Sequence, residues 1–149
     1  MARRGRTTSS NPTSDADPIE VLVVDDSAVV RQRLKSIIEA DPRFKVVLAG
    51  DPYEAVAMLS KSVPGVILLD INLPGIDGHK LCRRIKEDPA LGSPVIIAIS
   101  GLAEPNLEQT TLEEGVDAFY SKPLDFERLR EKIEELTAAR QGGSLADGS

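Results

Sequence analysis

Polar and charged side chains stand at the ends of apolar runs in this sequence. The carboxylates of Asp25 and Asp26 follow the first apolar run. The Asp70 carboxylate follows the third run, the Ser100 hydroxyl follows the fourth, and the Lys122 amine follows the fifth. Carboxylates gathered in one partly buried site repel one another, so a cation must offset their charge. Mg²⁺ suits this role because it prefers oxygen ligands and is held by carboxylates together with phosphate oxygens. The set therefore indicates magnesium-assisted chemistry of a phosphoryl group.

Phosphoryl transfer to a carboxylate requires a nucleophile, a metal on the phosphoryl oxygens and hydrogen-bond donors for the remaining charge. Asp70 is the candidate nucleophile because it ends a central strand of the predicted sheet. Asp25 and Asp26 suit the metal, and Ser100 and Lys122 supply the donors. Taken alone, Asp25 and Asp26 fit a solvated cap of the next helix as well as they fit a metal site. Their combination with Asp70 favours the metal site.

Five short β-rich runs must position these residues, and each is followed by a helical pattern. This alternation is typical of repeated βα units, which build an α/β fold around a parallel sheet. In such a sheet the loops at the carboxyl ends of the strands gather at one edge, where ligands bind. The strand candidates are residues 19–24, 44–49, 65–69, 95–99 and 118–120.

The helical patterns carry apolar residues at helical spacing and recognisable end signals. Ser27 is placed to cap the first helix, Asp77 the third and Asp125 the fifth. The fourth pattern has a poor periodic match, so we expect it to be the least firmly packed helix. The later helices are predicted over residues 52–62, 78–87, 104–114 and 126–138.

Composition limits the classes of protein to which this chain can belong. It has 149 residues and a net charge of −6. The negative charge argues against a nucleic-acid partner, because a protein that binds nucleic acid needs a basic face. Its apolar runs are too short to cross a membrane, and its single cysteine fits a reducing cytoplasmic setting. We expect one domain over residues 19–140, with disordered tails at 1–18 and 141–149. The basic residues near the start are read as part of a solvated leader.

Four segments of the sequence resemble the receiver domain of bacterial response regulators. They read VLVVDDS, LLDINLPGIDG, IIAISG and FYSKP, and the resemblance extends over residues 19–140. It implies the family's fold, a doubly wound, flavodoxin-like (βα)5 domain with a five-stranded parallel sheet in the order 2-1-3-4-5. The reading from residue patterns agrees with that fold class.

The resemblance assigns the acidic residues individually. It implies that Asp70 is the phosphoacceptor and that Asp26 and Asp70 bind Mg²⁺ directly. Asn72 would be a ligand through its backbone carbonyl, and Asp25 would take part through water. From the residues alone, Asn72 and Asp77 are also ordinary turn residues, and for Asp77 we favour the role of helix cap.

The resemblance likewise assigns the residues that answer phosphorylation. Ser100 would be the switch hydroxyl, and Lys122 would bind the phosphoryl group next to a cis Lys122–Pro123 peptide. Phe119 stands where many members carry a rotating tyrosine, so it can rotate but offers no hydroxyl. Leu102 would line the approach of the hydrolytic water, where an apolar side chain is expected to slow hydrolysis.

The function that this resemblance implies is a single-domain response regulator. A histidine kinase or histidine phosphotransfer protein would donate the phosphoryl group, and a surface of helix four, strand five and helix five would select a downstream protein target. Such a switch assists its own phosphotransfer and dephosphorylation without being a classical enzyme. The resemblance also allows a homodimer that forms on phosphorylation. A stand-alone receiver further suggests chemotaxis, motility control or a phosphorelay as opposed to transcription.

Two other functions fit parts of the pattern. A receiver-like interaction module that is never phosphorylated would be free to lose one of the five site residues, yet all are present. A hydrolase of the aspartyl-phosphate type would want a second aspartate where this chain has Asn72. His79 is interpreted as part of a solvated face, with no role, and Cys82 as a core residue.

Overall fold

A computed structural model describes residues 18–73, 77–101 and 106–148, with side chains as far as residue 139. Five parallel strands form one sheet in the order β2-β1-β3-β4-β5. This confirms the predicted fold class and strand order. The strands are β1 Ile19–Val24, β2 Phe44–Ala49, β3 Val66–Asp70, β4 Val95–Ser100 and β5 Ala118–Ser121.

The helices pack on both faces of the sheet and mostly begin where the sequence predicts. Side-chain oxygens of Ser27 and Asp77 accept hydrogen bonds from first-turn amides, and Asp125 does so from the amide of Arg128, which confirms these three caps. A short 3-10 turn, Pro89–Leu91, follows the third helix and was not expected. The helices are α1 Ala28–Ile38, α2 Pro52–Leu59, α3 Gly78–Glu87, α4 Leu107–Glu113 and α5 Phe126–Gly148.

Three helix ends differ from the predictions. Helix α2 stops at Leu59, three residues before the predicted end, where Ser60 forms the C-cap. Helix α4 ends at Glu113, one residue before the predicted end, and its predicted start at residue 104 lies outside the described residues. Helix α5 continues to Gly148, whereas the apolar spacing predicts an end at residue 138 and an unstructured segment from residue 141. A helix that is already formed can continue without an apolar stripe, because each added residue gains one backbone hydrogen bond.

The core has two layers because alternate residues of a strand point to opposite faces of the sheet. Leu22 and Val24 of β1 belong to the cluster that packs against α2 and α3. Val21 and Val23 belong to the cluster on the side of α1 and α5. All five residues of β3 are buried, which explains why its sequence is a continuous apolar run ending in one acid. No helix within the described residues is long and apolar enough to cross a membrane.

Gly78 lets α3 start directly against the segment that follows β3. A Cβ at this position would lie 2.6 Å from the Cα of Ile71 and 2.8 Å from its carbonyl oxygen. Both are backbone atoms, so a larger residue would require the chain after Asp70 to move. The glycine thus helps to fix the position of the loop next to the acidic residues.

Candidate functional site

The carboxyl ends of β1 and β3 bring three carboxylates together. Asp25 and Asp26 follow β1, and Asp70 is the last residue of β3. One oxygen from each carboxylate lies within 4.8 Å of those of the other two. Asp25 and Asp70 are buried, whereas Asp26 is exposed, so the cluster opens to solvent on one side. This is the acidic group that the sequence predicted.

The backbone around Asp25 is tied to two neighbouring elements. Its amide donates to the carbonyl of Ala49 at the end of β2, and its Oδ1 accepts from the amide of Ser27 at 2.8 Å. Its carbonyl oxygen accepts from Nη1 of Arg31 at 2.6 Å. Sequence reasoning missed Arg31, although a cation one helical turn beyond the acidic pair is a usable signal. These contacts fix the loop that carries two of the three acids.

Asp70 is held by one contact on each carboxylate oxygen. Its Oδ1 accepts from the amide of Asn72 at 2.9 Å, and its Oδ2 accepts from Nζ of Lys122 at 3.1 Å. Nζ of Lys122 also lies 3.0 Å from Oδ2 of Asp25. The ammonium therefore bridges two buried carboxylates that come from different strands.

These contacts affect the pKa of the Lys122 ammonium. Burial acts to lower the pKa of its ammonium, but the neighbouring Asp25 and Asp70 carboxylates outweigh burial and raise that pKa above its ordinary value. Lys122 follows β5, where its amide donates to the carbonyl of Ser100 and the Lys122–Pro123 peptide is cis, as the resemblance implied. The lysine is consequently a fixed positive charge at the strand ends.

Ser100 and Asn72 face each other across the ends of β4 and β3. The Ser100 hydroxyl donates to Oδ1 of Asn72 at 2.6 Å, and the amide of Gly101 donates to the same oxygen at 3.1 Å. This side-chain contact was not among the predicted roles of Asn72, which were a turn residue and a ligand through its backbone carbonyl. The sequence signal for this contact is the side-chain amide of Asn72, two residues after Asp70, together with the Ser100 hydroxyl at the end of the adjacent strand.

Phe119 stands apart from this group. It lies on β5, where it pairs with Ala98 of β4, and its half-buried ring packs against the core cluster on the side of α2 and α3. Tyr120, the next residue, packs against the opposite cluster. Phe119 therefore packs against the same core cluster as Leu107 of α4. Leu102, assigned to the path of hydrolytic water, lies outside the described residues.

The oxygen atoms of the cluster fit a hard divalent cation. Oδ2 of Asp25 is fully buried and has no hydrogen-bond partner of suitable geometry among the described residues, although it lies close to Lys122. A buried carboxylate oxygen of this kind is costly unless a charge compensates it. The other two carboxylates offer hard ligands of the type that Mg²⁺ and Ca²⁺ accept. The three acids could thus hold a metal ion.

The structure corrects the interpretation of His79 and confirms that of Cys82. The His79 ring is half-buried, and its Nε2 lies 3.1 Å from Oγ1 of Thr111, a fully buried residue of α4. His79 therefore joins α3 to α4 and does not belong to a solvated face. Cys82 is buried on the inner side of α3, and burial raises the pKa of its thiol to about 12.

Comparison with known proteins decides the family to which this arrangement belongs. A sequence model described as the response regulator receiver domain matches residues 21–134. The chain belongs to this family. The receiver domain has the fold, the acidic cluster and the lysine that the sequence predicted from its five apolar runs.

Relatives of the receiver domain include regulators from bacteria and an archaeon. Response regulator Rre1 of Synechocystis is 31% identical over 131 residues, which make up 88% of this chain and 57% of the relative. The chain thus spans little more than half the length of that protein. The signal receiver domain of a DNA binding response regulator from Colwellia psychrerythraea is 28% identical, with a TM-score of 0.75 over 80% of this chain and 98% of that chain. A CheY-like receiver domain protein from Methanospirillum hungatei is 25% identical, with a TM-score of 0.76 over 85% and 99%.

Proposed function

We propose that this receiver domain is a phosphorylation switch in which Asp70 accepts the phosphoryl group. The observation that carries the proposal is the setting of the Asp70 carboxylate, which is buried between the Lys122 ammonium and the Asp25 and Asp26 side chains. A carboxylate nucleophile, a site for a cation and a fixed positive charge are the parts that phosphoryl transfer needs.

The proposed donor is a phosphohistidine of a histidine kinase or a histidine phosphotransfer protein. One Asp70 oxygen attacks phosphorus, so an O–P bond forms while the N–P bond breaks and its electron pair returns to the imidazole nitrogen. Lys122 and Ser100 then donate hydrogen bonds to the phosphoryl oxygens. The receiver domain contributes the acceptor and the positioning, and we propose that it also assists its own dephosphorylation.

The proposed metal is Mg²⁺, held by Asp26, Asp70 and the backbone carbonyl of Asn72, with Asp25 acting through water. When bound, it neutralises charge that develops on the phosphoryl oxygens. Lys122 now bridges Asp25 and Asp70, and because an ammonium has three N–H donors, it can also donate to a phosphoryl oxygen. Asp25 and Asp26 alone would place two negative charges beside the phosphoryl group, which is why the cation is required.

The proposed output is a change in the surface formed by α4, β5 and α5. Ser100 moves toward the phosphoryl group, and Phe119 turns inward to fill the space left behind. The altered surface selects a downstream protein target or a second copy of the chain. Residues 19–140 are the proposed receiver unit, and a cytoplasmic location stays a prediction.

The proposal is tested by exposing the protein to phosphoramidate with and without Mg²⁺ and measuring its intact mass. We expect a Mg²⁺-dependent gain of one phosphoryl group, which is stable in acid and lost in base. Asp70→Asn abolishes the gain because it removes the nucleophile. Asp77→Asn is the matched control: Asp77 caps α3 outside the acidic cluster, so this variant is labelled like the wild type.

Two results would contradict the proposal. Label that persists on Asp70→Asn would place the acceptor on another residue. An absence of label on every variant, with Mg²⁺ binding confirmed, would support a receiver-like module that binds its partner constitutively.

A further inference from the structure

The switch hydroxyl is engaged by a side chain before any phosphoryl group arrives. Ser100 is fully buried, and its hydroxyl donates to Oδ1 of Asn72 at 2.6 Å. A serine hydroxyl has one proton and so donates one hydrogen bond at a time. Under the proposed function, the Ser100 hydroxyl must donate this one hydrogen bond to a phosphoryl oxygen. Phosphorylation therefore requires the contact between Ser100 and Asn72 to break.

Asn72 is well placed to hold this arrangement. Its backbone amide donates to Oδ1 of Asp70 at 2.9 Å, so the residue touches both the acceptor carboxylate and the switch hydroxyl. Its side-chain oxygen also accepts from the amide of Gly101 at 3.1 Å, and the two donors together orient the amide plane. Gly101, the first residue after β4, is thereby hydrogen-bonded to the segment that follows β3.

We infer that the Asn72 side chain is a positioning residue that holds Ser100 in the unphosphorylated arrangement and so weakens the affinity for a phosphoryl group. This inference rests on the proposed function of Asp70. It is separate from any role of the Asn72 backbone carbonyl, which a side-chain substitution leaves in place. The amide and the phosphoryl group compete for one proton, so removal of the amide shifts the balance toward the phosphorylated arrangement.

The inference is tested with a double-mutant cycle that uses beryllium fluoride as the phosphoryl analogue at saturating Mg²⁺. Titration calorimetry gives the dissociation constant for the wild type, Asn72→Ala, Ser100→Ala and the double variant. We expect Asn72→Ala to bind about fivefold more tightly, the effect of losing one hydrogen bond from the unliganded state. In the Ser100→Ala background the same change is expected to have no effect, because no hydroxyl remains to be held.

A second readout separates this role from a general change in structure. The amide resonance of Gly101 in unliganded Asn72→Ala is expected to shift toward its position in the liganded wild type. Equal gains in affinity in the Ser100 and Ser100→Ala backgrounds would overturn the inference, as would a loss of affinity in Asn72→Ala. If no variant binds the analogue and phosphoramidate gives no label, the proposed function itself is contradicted, and the inference fails with it.

Discussion

Helices α1 and α4 are anchored by different forces. Helix α1 starts with a side-chain cap from Ser27 and buries Leu34 and Ile38 almost completely. Helix α4 starts at Leu107 after the N-cap residue Asn106, which has a positive φ of 65° and makes no side-chain cap, and the buried residue of the helix is Thr111. One helix is held by apolar packing, and the other depends on polar contacts to a larger extent.

The polar contacts of α4 come from α3. His79 reaches the Thr111 hydroxyl, and Arg83 forms an ion pair with Glu114 just beyond the end of α4. Polar contacts can be exchanged for others of similar energy, whereas a packed apolar core resists rearrangement. Under the proposed function, β1, α1 and β3 form an acceptor region that we expect to stay fixed. We expect α4 and β5 to form a switch region that a modest bias can move.

The comparison is tested most strongly by removing one leucine from each helix. Leu34→Ala in α1 is expected to lower the free energy of unfolding by about 2–5 kcal/mol, because it leaves a cavity in the core. Leu112→Ala in α4 removes a side chain that is 40% exposed. We expect this substitution to lower the free energy of unfolding by about 0.5 kcal/mol. Urea denaturation followed by circular dichroism measures both. Equal losses would show that α4 is anchored by apolar packing as firmly as α1.

A smaller effect is expected from the contact between His79 and Thr111. His79→Phe keeps a ring of similar shape but removes the nitrogen that contacts the Thr111 hydroxyl. We expect the free energy of local opening of α4 to fall by about 1 kcal/mol, with little change in α1. Hydrogen exchange of backbone amides in the two helices measures the difference.

Thr111→Val provides the partner variant for this contact. If the two side chains act through each other, His79→Phe adds nothing further in the Thr111→Val background. Additive effects of the two substitutions would mean that His79 stabilises α4 through some other contact.

The smallest effect concerns an ion pair in the segment after α1. Hydrogen bonds from the Arg43 side chain and amide lower the pKa of Asp41 to about 2 from its ordinary value of 3.8. The contribution of Asp41 to stability is therefore complete above about pH 4 and is lost as the pH falls through about 2. Arg43 is largely exposed, so we expect this contribution to the free energy of unfolding to be small.

Asp41→Asn measures this contribution. The difference in unfolding free energy between wild type and variant is expected to be present at neutral pH and to vanish near pH 2. A difference that stays constant over this range would assign the effect to packing and not to charge. Either result leaves the anchoring of α4 unchanged, because Asp41 and Arg43 contact α5 through Glu134.

Much of the site could be predicted because its residues follow directly from the strands. The central strands are buried on both faces and read as continuous apolar runs, so their carboxyl ends are visible in the sequence. Asp70 and Ser100 are the last residues of β3 and β4. In a parallel sheet these ends share one edge, which brings distant residues together without further information.

Other contacts could not be predicted in this way. The bond from Ser100 to Asn72 depends on a side-chain orientation, and the contact of His79 with Thr111 depends on the rotation of α3 and α4 about their axes. Helical spacing alone assigns His79 to a polar face. His79 is half-buried because its ring contacts Thr111 of α4.

The sequence by itself determined the five βα units, the strand ends and the acidic, hydroxyl and amine residues gathered there, because burial and the two backbone periods act locally. The tertiary structure alone decided which polar side chains hold one another before any ligand arrives: Lys122 between Asp25 and Asp70, Asn72 on Ser100, and His79 on Thr111. Those partners lie far apart along the chain, and their meeting depends on how the elements pack, to within about an ångström.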